Sequence, residues 1–255
     1  MNMKMHVLSG GRLRVRRRIY FPDADRGETI DVPVLCVLMR HRQGNVLFDS
    51  GCHPSVADDG EARWGGLARV VVPIFGHDQG LIAGLAAVGL GPEDIDVVVN
   101  SHLHPDHCGC NEFFKRATIV CHARELEAVR AANAEAMGYI KADWDHPMPV
   151  DAVDGERDLY GDDRIVLIPL PGHTPGSIGA LVNLDRSGAF LLASDAVSLR
   201  ANLDLNVLPR NTWNAEHLDR TFQEIRRIEA GGATLVCGHD EAQWLGLKKG
   251  GDAYD

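Results

Sequence analysis

Six consecutive residues, His102-Leu103-His104-Pro105-Asp106-His107, carry three imidazoles and a carboxylate, and Cys108-Gly109-Cys110 follow directly. Imidazole nitrogen and carboxylate oxygen are donors suited to a divalent first-row metal, zinc above all. His102, Asp106, His173, Asp195 and His239 each stand just after an apolar run. Tight glycine turns present two of them: His173 lies within Pro171-Gly172-His173-Thr174-Pro175-Gly176, and His239 follows Gly238. Taken singly, each is an ordinary loop residue; their recurrence points to a metal site. Asp49, in Phe48-Asp49-Ser50-Gly51, is either an exposed turn residue or an acceptor that fixes the tautomer of a ligating imidazole. Cys108 and Cys110 could ligate or form a redox pair, but the histidines and carboxylates already offer enough donors.

For these residues to meet, several strand ends must converge on one sheet edge. Hydrophobic patterning predicts a strand pair over 6–20 turning at Gly10-Gly11, and further strands over 31–39, 44–49, 96–100, 117–121, 164–170, 180–185, 189–193 and 233–237. It predicts helices over 81–90, 123–137 and 215–230. Arg16-Arg17-Arg18 reads as a solvated strand edge. Residues 54–80 read as a long loop whose Trp64 and Phe75 either wall a pocket or pack into the core. Residues 143–163 read as loops with a short strand, and the tail from Lys248 as frayed.

A formal charge of −10 argues against nucleic acid as a partner. No apolar run is long enough for a membrane span, and the N-terminal stretch 1–7 lacks the apolar segment and cleavage site of a secretory signal, so the expected location is cytoplasmic and the six cysteines read as reduced thiols. No linker divides the chain, which reads as one domain over 1–255.

In order, the 102–107 run, the turn around His173, Ser194-Asp195-Ala196 and Gly238-His239, with the Asp49 element before them, resemble the metallo-β-lactamase superfamily. The resemblance implies an α/β fold, an αβ/βα four-layer sandwich with a two-metal site along one edge. His102, His104 and His173 would hold one metal, Asp106, His107 and His239 the other, and Asp195 would bridge them. The implied cofactors are two Zn2+ per chain, with Fe, Mn or Co as alternatives. An aspartate at the bridging place is unlike the antibiotic-destroying branch, which has a thiolate there. The chain looks most similar to the N-acyl-homoserine lactonase group, which includes pyridoxolactonase-like enzymes. That group usually carries a tyrosine three residues after the bridging aspartate, where its phenol helps bind the substrate carbonyl. Here that residue is Ser198, whose shorter side chain reaches the same point only through a water. A histidine often found after the glycine turn is Ser177 here.

The activity so implied is a dinuclear zinc hydrolase opening a lactone or similar ester by hydroxide attack. Asp106 would shuttle a proton to the leaving alkoxide, and Ser198 would donate a weak hydrogen bond. A phosphoesterase or organophosphate hydrolase is the nearest rival, because a two-metal clamp also suits phosphoryl transfer. A thioesterase of the glyoxalase II kind lacks its separate C-terminal helical domain here. A non-catalytic zinc module is the remaining class, although structural zinc sites are usually closed and cysteine-rich. The expected partner is a small lactone or ester, and a homodimer is one option for assembly.

Overall fold

The computed structural model of the protein describes residues 3–255. Its strands are β1 (Lys4–Arg16), β2 (Thr29–His41), β3 (Gly44–Phe48), β4 (Val71–Pro73), β5 (Val97–Val99), β6 (Thr118–His122), β7 (Val150–Val153), β8 (Arg157–Asp158), β9 (Ile165–Pro169), β10 (Ile178–Leu184), β11 (Gly188–Ser194) and β12 (Thr234–Cys237). One sheet has the order β4-β1-β2-β3-β5-β6-β7, the other β12-β11-β10-β9-β8. The first sheet is antiparallel from β4 to β3 and parallel from β3 to β7. In the second, only the β11–β12 pair is parallel.

Side chains that alternate along each strand fill two kinds of core. Leu35, Val37 and Met39 of β2 meet Leu167, Ala180, Leu192 and Val236 between the sheets. Their neighbours face outward: Leu38 joins Leu47 and Val98 against Leu81 and Leu85 of the Leu81–Ala87 helix. On the other side, Leu191 and Leu235 pack against Leu218, Phe222 and Ile225 of the Ala215–Ala230 helix. The result is the helix–sheet–sheet–helix order of the expected four-layer sandwich. The Asn214 side chain caps that long helix by accepting from His217 N, and Gly231 ends it.

Four expectations change. Residues 4–16 form one continuous strand, not a hairpin, because Gly10-Gly11 is a bulge that shifts the register against β2 between Ser9 and Gly11. The helix expected over 123–137 spans only Ala123–Val129; the chain then turns so that Met137 and Gly138 reach His104, and this tertiary demand overrides helix propensity. Within 54–80 lie short helices and β4, and Trp64 and Phe75 are buried in a cluster with Leu13 and Val34. The tail is pinned, not frayed: Tyr254 pairs with Met5, and the Asp255 carbonyl accepts from the amides of Arg186 and Ser187. Within the Arg16-Arg17-Arg18 run, Arg17 pairs with Glu28 and Arg16 donates to the Gly27 carbonyl.

The bulge brings backbone against backbone. A Cβ on Gly51 would lie 2.5 Å from Gly10 Cα, and Gly51 has φ +70°. Gly51→Ala should therefore cost about 1–3 kcal/mol of stability from overpacking, read as a lowered urea midpoint at unchanged slope.

Candidate metal centre

Five strands deliver the site at one edge of the sandwich. Parallel pairing of β3 with β5 lets Asp49 N bond the Val99 carbonyl at 2.8 Å, so Asp49 and the segment Asn100–His102 emerge side by side. Pro105 opens the short Pro105–Cys108 helix at a position where its missing N–H is not needed, and that turn carries Asp106 and His107. His173, Asp195 and His239 follow β9, β11 and β12.

All seven side chains expected at the site come together. His102 Nε2 and His173 Nε2 lie 3.1 and 3.0 Å from His104 Nδ1, and Asp195 Oδ2 is 3.5 Å from His173 Nε2. On the other side, Asp106 Oδ2 is 3.5 and 3.6 Å from His107 Nε2 and His239 Nε2. Asp195 Oδ1 lies 3.7 and 3.0 Å from those same two nitrogens. The two oxygens of Asp195 are thus divided between the two groups. Donors sharing a tetrahedral zinc at ~2.0–2.1 Å stand roughly 3.3 Å apart, and these separations scatter about that edge.

The far side of each of four rings is held. His102 Nδ1 meets Ser101 Oγ at 3.0 Å, His104 Nε2 the Met137 carbonyl at 3.0 Å, His107 Nδ1 Asp49 Oδ2 at 2.9 Å and His239 Nδ1 the Pro33 carbonyl at 2.8 Å. Such partners fix which nitrogen is free to face inward. Asp49 also accepts from Ser101 N, Ser101 Oγ and Ser194 Oγ, so the acceptor reading holds and the exposed-turn reading does not. A second buried carboxylate, Glu125, accepts from Leu103 N, Gly176 N, Thr174 Oγ1 and Tyr139 Oη. It ties the 102–107 run to the His173 turn, in which Ser177 Oγ accepts from Thr174 N.

Burial, reinforced by neighbouring imidazoles, pushes His102 well below the usual histidine range and His173 down to about 4. Burial also lowers His104, against the pull of Asp106. Burial opposes charge on His107 too, but Asp106 and Asp49 outweigh it and hold this ring well above its usual value. The same attraction overcomes burial at the carboxylates: Asp106 falls to about 2 and Asp195 well below its ordinary range. Neutral rings and ionised carboxylates are the forms that bind metal. His107 Nε2 and Asp195 Oδ1 are buried without a hydrogen-bond partner, a costly state unless a cation sits between them. The donor set fits divalent metal.

Ser198 does not join this group. Its hydroxyl is buried without a partner and does not line the cavity over the site, and its carbonyl instead accepts from His239 N. Cys108 and Cys110 are buried and bond the carbonyls of Leu103 and Cys52, outside every group of converging metal donors. All six cysteines are free and buried. The cavity, about 280 Å3, has His104, Asp106, Asp195 and His239 at its floor. Leu13, Val15, Ile19, Leu67, Val71 and Met137 provide its apolar wall. Tyr20 lines it as well, and burial followed by the charges of Asp195 and Asp106 keeps that phenol protonated. Sequence reasoning missed Glu125 and Tyr20: the first looks like a surface helix residue, and the second closes the stretch read as a strand pair, where nothing marks it as facing a cavity.

Glu125→Gln replaces one acceptor oxygen by a donor facing buried donors. It should lower stability by about 1–3 kcal/mol in urea unfolding, with the mutant still folded by circular dichroism.

A family model for the metallo-β-lactamase superfamily matches residues 29–239. The N-acyl homoserine lactonase AttM of Azorhizobium caulinodans is 33% identical over 262 residues, covering 100% of this chain and 99% of that one. The N-acyl homoserine lactonase AiiB of Agrobacterium fabrum is 30% identical over 286 residues, covering 100% and 99%. Among solved structures, an N-acyl homoserine lactone hydrolase with the product N-hexanoyl-L-homoserine at its catalytic metal centre superposes with a TM-score of 0.89 at 22% identity, covering 100% of both chains. That last likeness concerns the fold, and the edge site lies where the fold's strand ends meet. With the matched span, the full-length relatives and the geometry in agreement, this chain belongs to the metallo-β-lactamase superfamily.

Proposed function

We propose that the protein is a two-metal hydrolase that opens the ring of N-acyl homoserine lactones, with residues 1–255 acting as one domain. The observation that carries this reading is the division of Asp195 between two groups of imidazoles beneath a cavity with an apolar wall. A structural zinc site would be closed, whereas this one opens onto a cavity. The names of the full-length relatives supply the substrate class. The wall formed by Leu13, Val15, Ile19 and Leu67 suits an acyl chain and offers no cation for a phosphate.

In this reading His102, His104 and His173 would hold one cation and Asp106, His107 and His239 the other, with Asp195 serving both groups. Zinc is the metal that the donor set favours, and a cation pair bound there would supply Lewis acidity and lower the pKa of water. Asp106 faces both the cavity and the His107 and His239 rings, so its carboxylate can take a proton from the attacking water and return it to the leaving alkoxide. Asp49 holds the His107 ring so that Nε2 points inward throughout. The apolar wall anchors the acyl chain and keeps bulk water off the carbonyl.

Exhaustive chelation should abolish proton release from N-acyl homoserine lactones, and added zinc should restore it; turnover surviving complete metal removal, or preference for a phosphotriester with no lactone turnover, would overturn the reading. Asp49→Asn should weaken zinc binding about 10- to 100-fold in competition with a chromophoric chelator, because it loses the acceptor for His107.

A further inference from the structure

The structure assigns to Tyr20 the carbonyl-facing role that Ser198 cannot fill: we propose that its hydroxyl donates a hydrogen bond to the substrate carbonyl oxygen as negative charge develops there. The inference rests on the lactonase reading above and adds to it a residue from a different part of the chain. Tyr20 lies 175 residues before Asp195, just after the Arg17–Ile19 turn. Its ring is buried, 4% exposed, and its centroid stands 6.3 Å from that of His239. It shares the wall of one cavity with Asp106, Asp195 and His239.

The segment that carries Tyr20 is held firmly. Its amide bonds the Arg17 carbonyl at 3.0 Å, its carbonyl accepts from Asn202 Nδ2 at 2.9 Å, and the preceding Ile19 carbonyl accepts from Arg210 N at 2.7 Å. These contacts commit the backbone. The side-chain hydrogen bond to this residue ends on its carbonyl, which leaves the hydroxyl uncommitted among the described residues. Ser198 is placed the opposite way: its hydroxyl is sealed in the protein, and its carbonyl is the part that serves the site. A phenol held rigidly at the rim of a low-dielectric site is a prepositioned donor, and such donors contribute most where charge appears during reaction. Tyr20 changes no covalent bond: its O–H donates a hydrogen bond and keeps its proton.

The test is Tyr20→Phe in the metal-loaded protein, which keeps the ring packing and removes only the hydroxyl. Expected are a fall in kcat of about 100-fold with KM changed much less, as for loss of a single oxyanion donor. Calorimetry should show weaker binding of the ring-opened acid N-hexanoyl-homoserine, at unchanged metal content and unfolding midpoint. Equal affinity of the wild type and the variant for that acid overturns the inference, whether or not lactone is turned over. Equal kcat in a wild type that does turn over lactone overturns it too. A wild type with no lactone turnover overturns the proposed function alone, and the affinity comparison then decides the role of Tyr20.

Discussion

The arrangement depends on one buried carboxylate. Asp49 is 2% exposed and accepts hydrogen bonds from Ser101 N, Ser101 Oγ, Ser194 Oγ and His107 Nδ1. Through it the end of β3 grips the end of β5, the end of β11 and the first helical turn of the site. Both Asp49 and Ser194 adopt left-handed backbone, with φ of 58° and 48°. Non-glycine residues in that region carry a local cost, which persists only where surrounding bonds fix the conformation. Here the strained residues bond each other and Ser101, so the strain sits where the two sheets must be brought into register at the site.

Electrostatics set the second constraint. Five imidazoles and two carboxylates are crowded into a dry edge, and burial alone would neutralise them all. Burial wins at His102, His104 and His173, whereas Asp106 and Asp49 win at His107. The two halves therefore differ: burial decides at the rings of one, and carboxylates decide at His107 in the other. Glu125 supports the first half without touching its rings: it fixes the backbone on either side of them.

Much of this was legible in the sequence because residue type and position coincide there. His102, His104, Asp106 and His107 announce themselves by spacing, and His173, Asp195 and His239 by standing where apolar runs stop. The helix over Ala215–Ala230 was legible to its ends, because a double glycine closes a clear apolar stripe. What stayed hidden depends on contacts distant in sequence. Gly10-Gly11 has the signature of a turn, and only the approach of Gly51 makes it a bulge. Glu125 lies in an alanine-rich helical stretch where a glutamate ordinarily faces water. Residues 130–138 carry helix-favouring side chains, yet His104 requires the Met137 carbonyl. Tyr20 follows three arginines, and nothing local marks it as facing a cavity.

The apolar wall and the donor frame come from separate parts of the chain. Leu13, Val15 and Ile19 belong to the N-terminal strand and the turn after it, and Leu67, Val70 and Val71 to the segment leading into β4, whereas the donors sit at the ends of β5, β9, β11 and β12. Leu67 and Val70 are partly or largely exposed and make no bond to the imidazoles. Substitutions among them can reshape the cavity while the buried carboxylates go on holding the frame. Such a division lets substrate range drift under selection at little risk to folding, so chains with the same frame can diverge in what they accept long before they diverge in the bond they break.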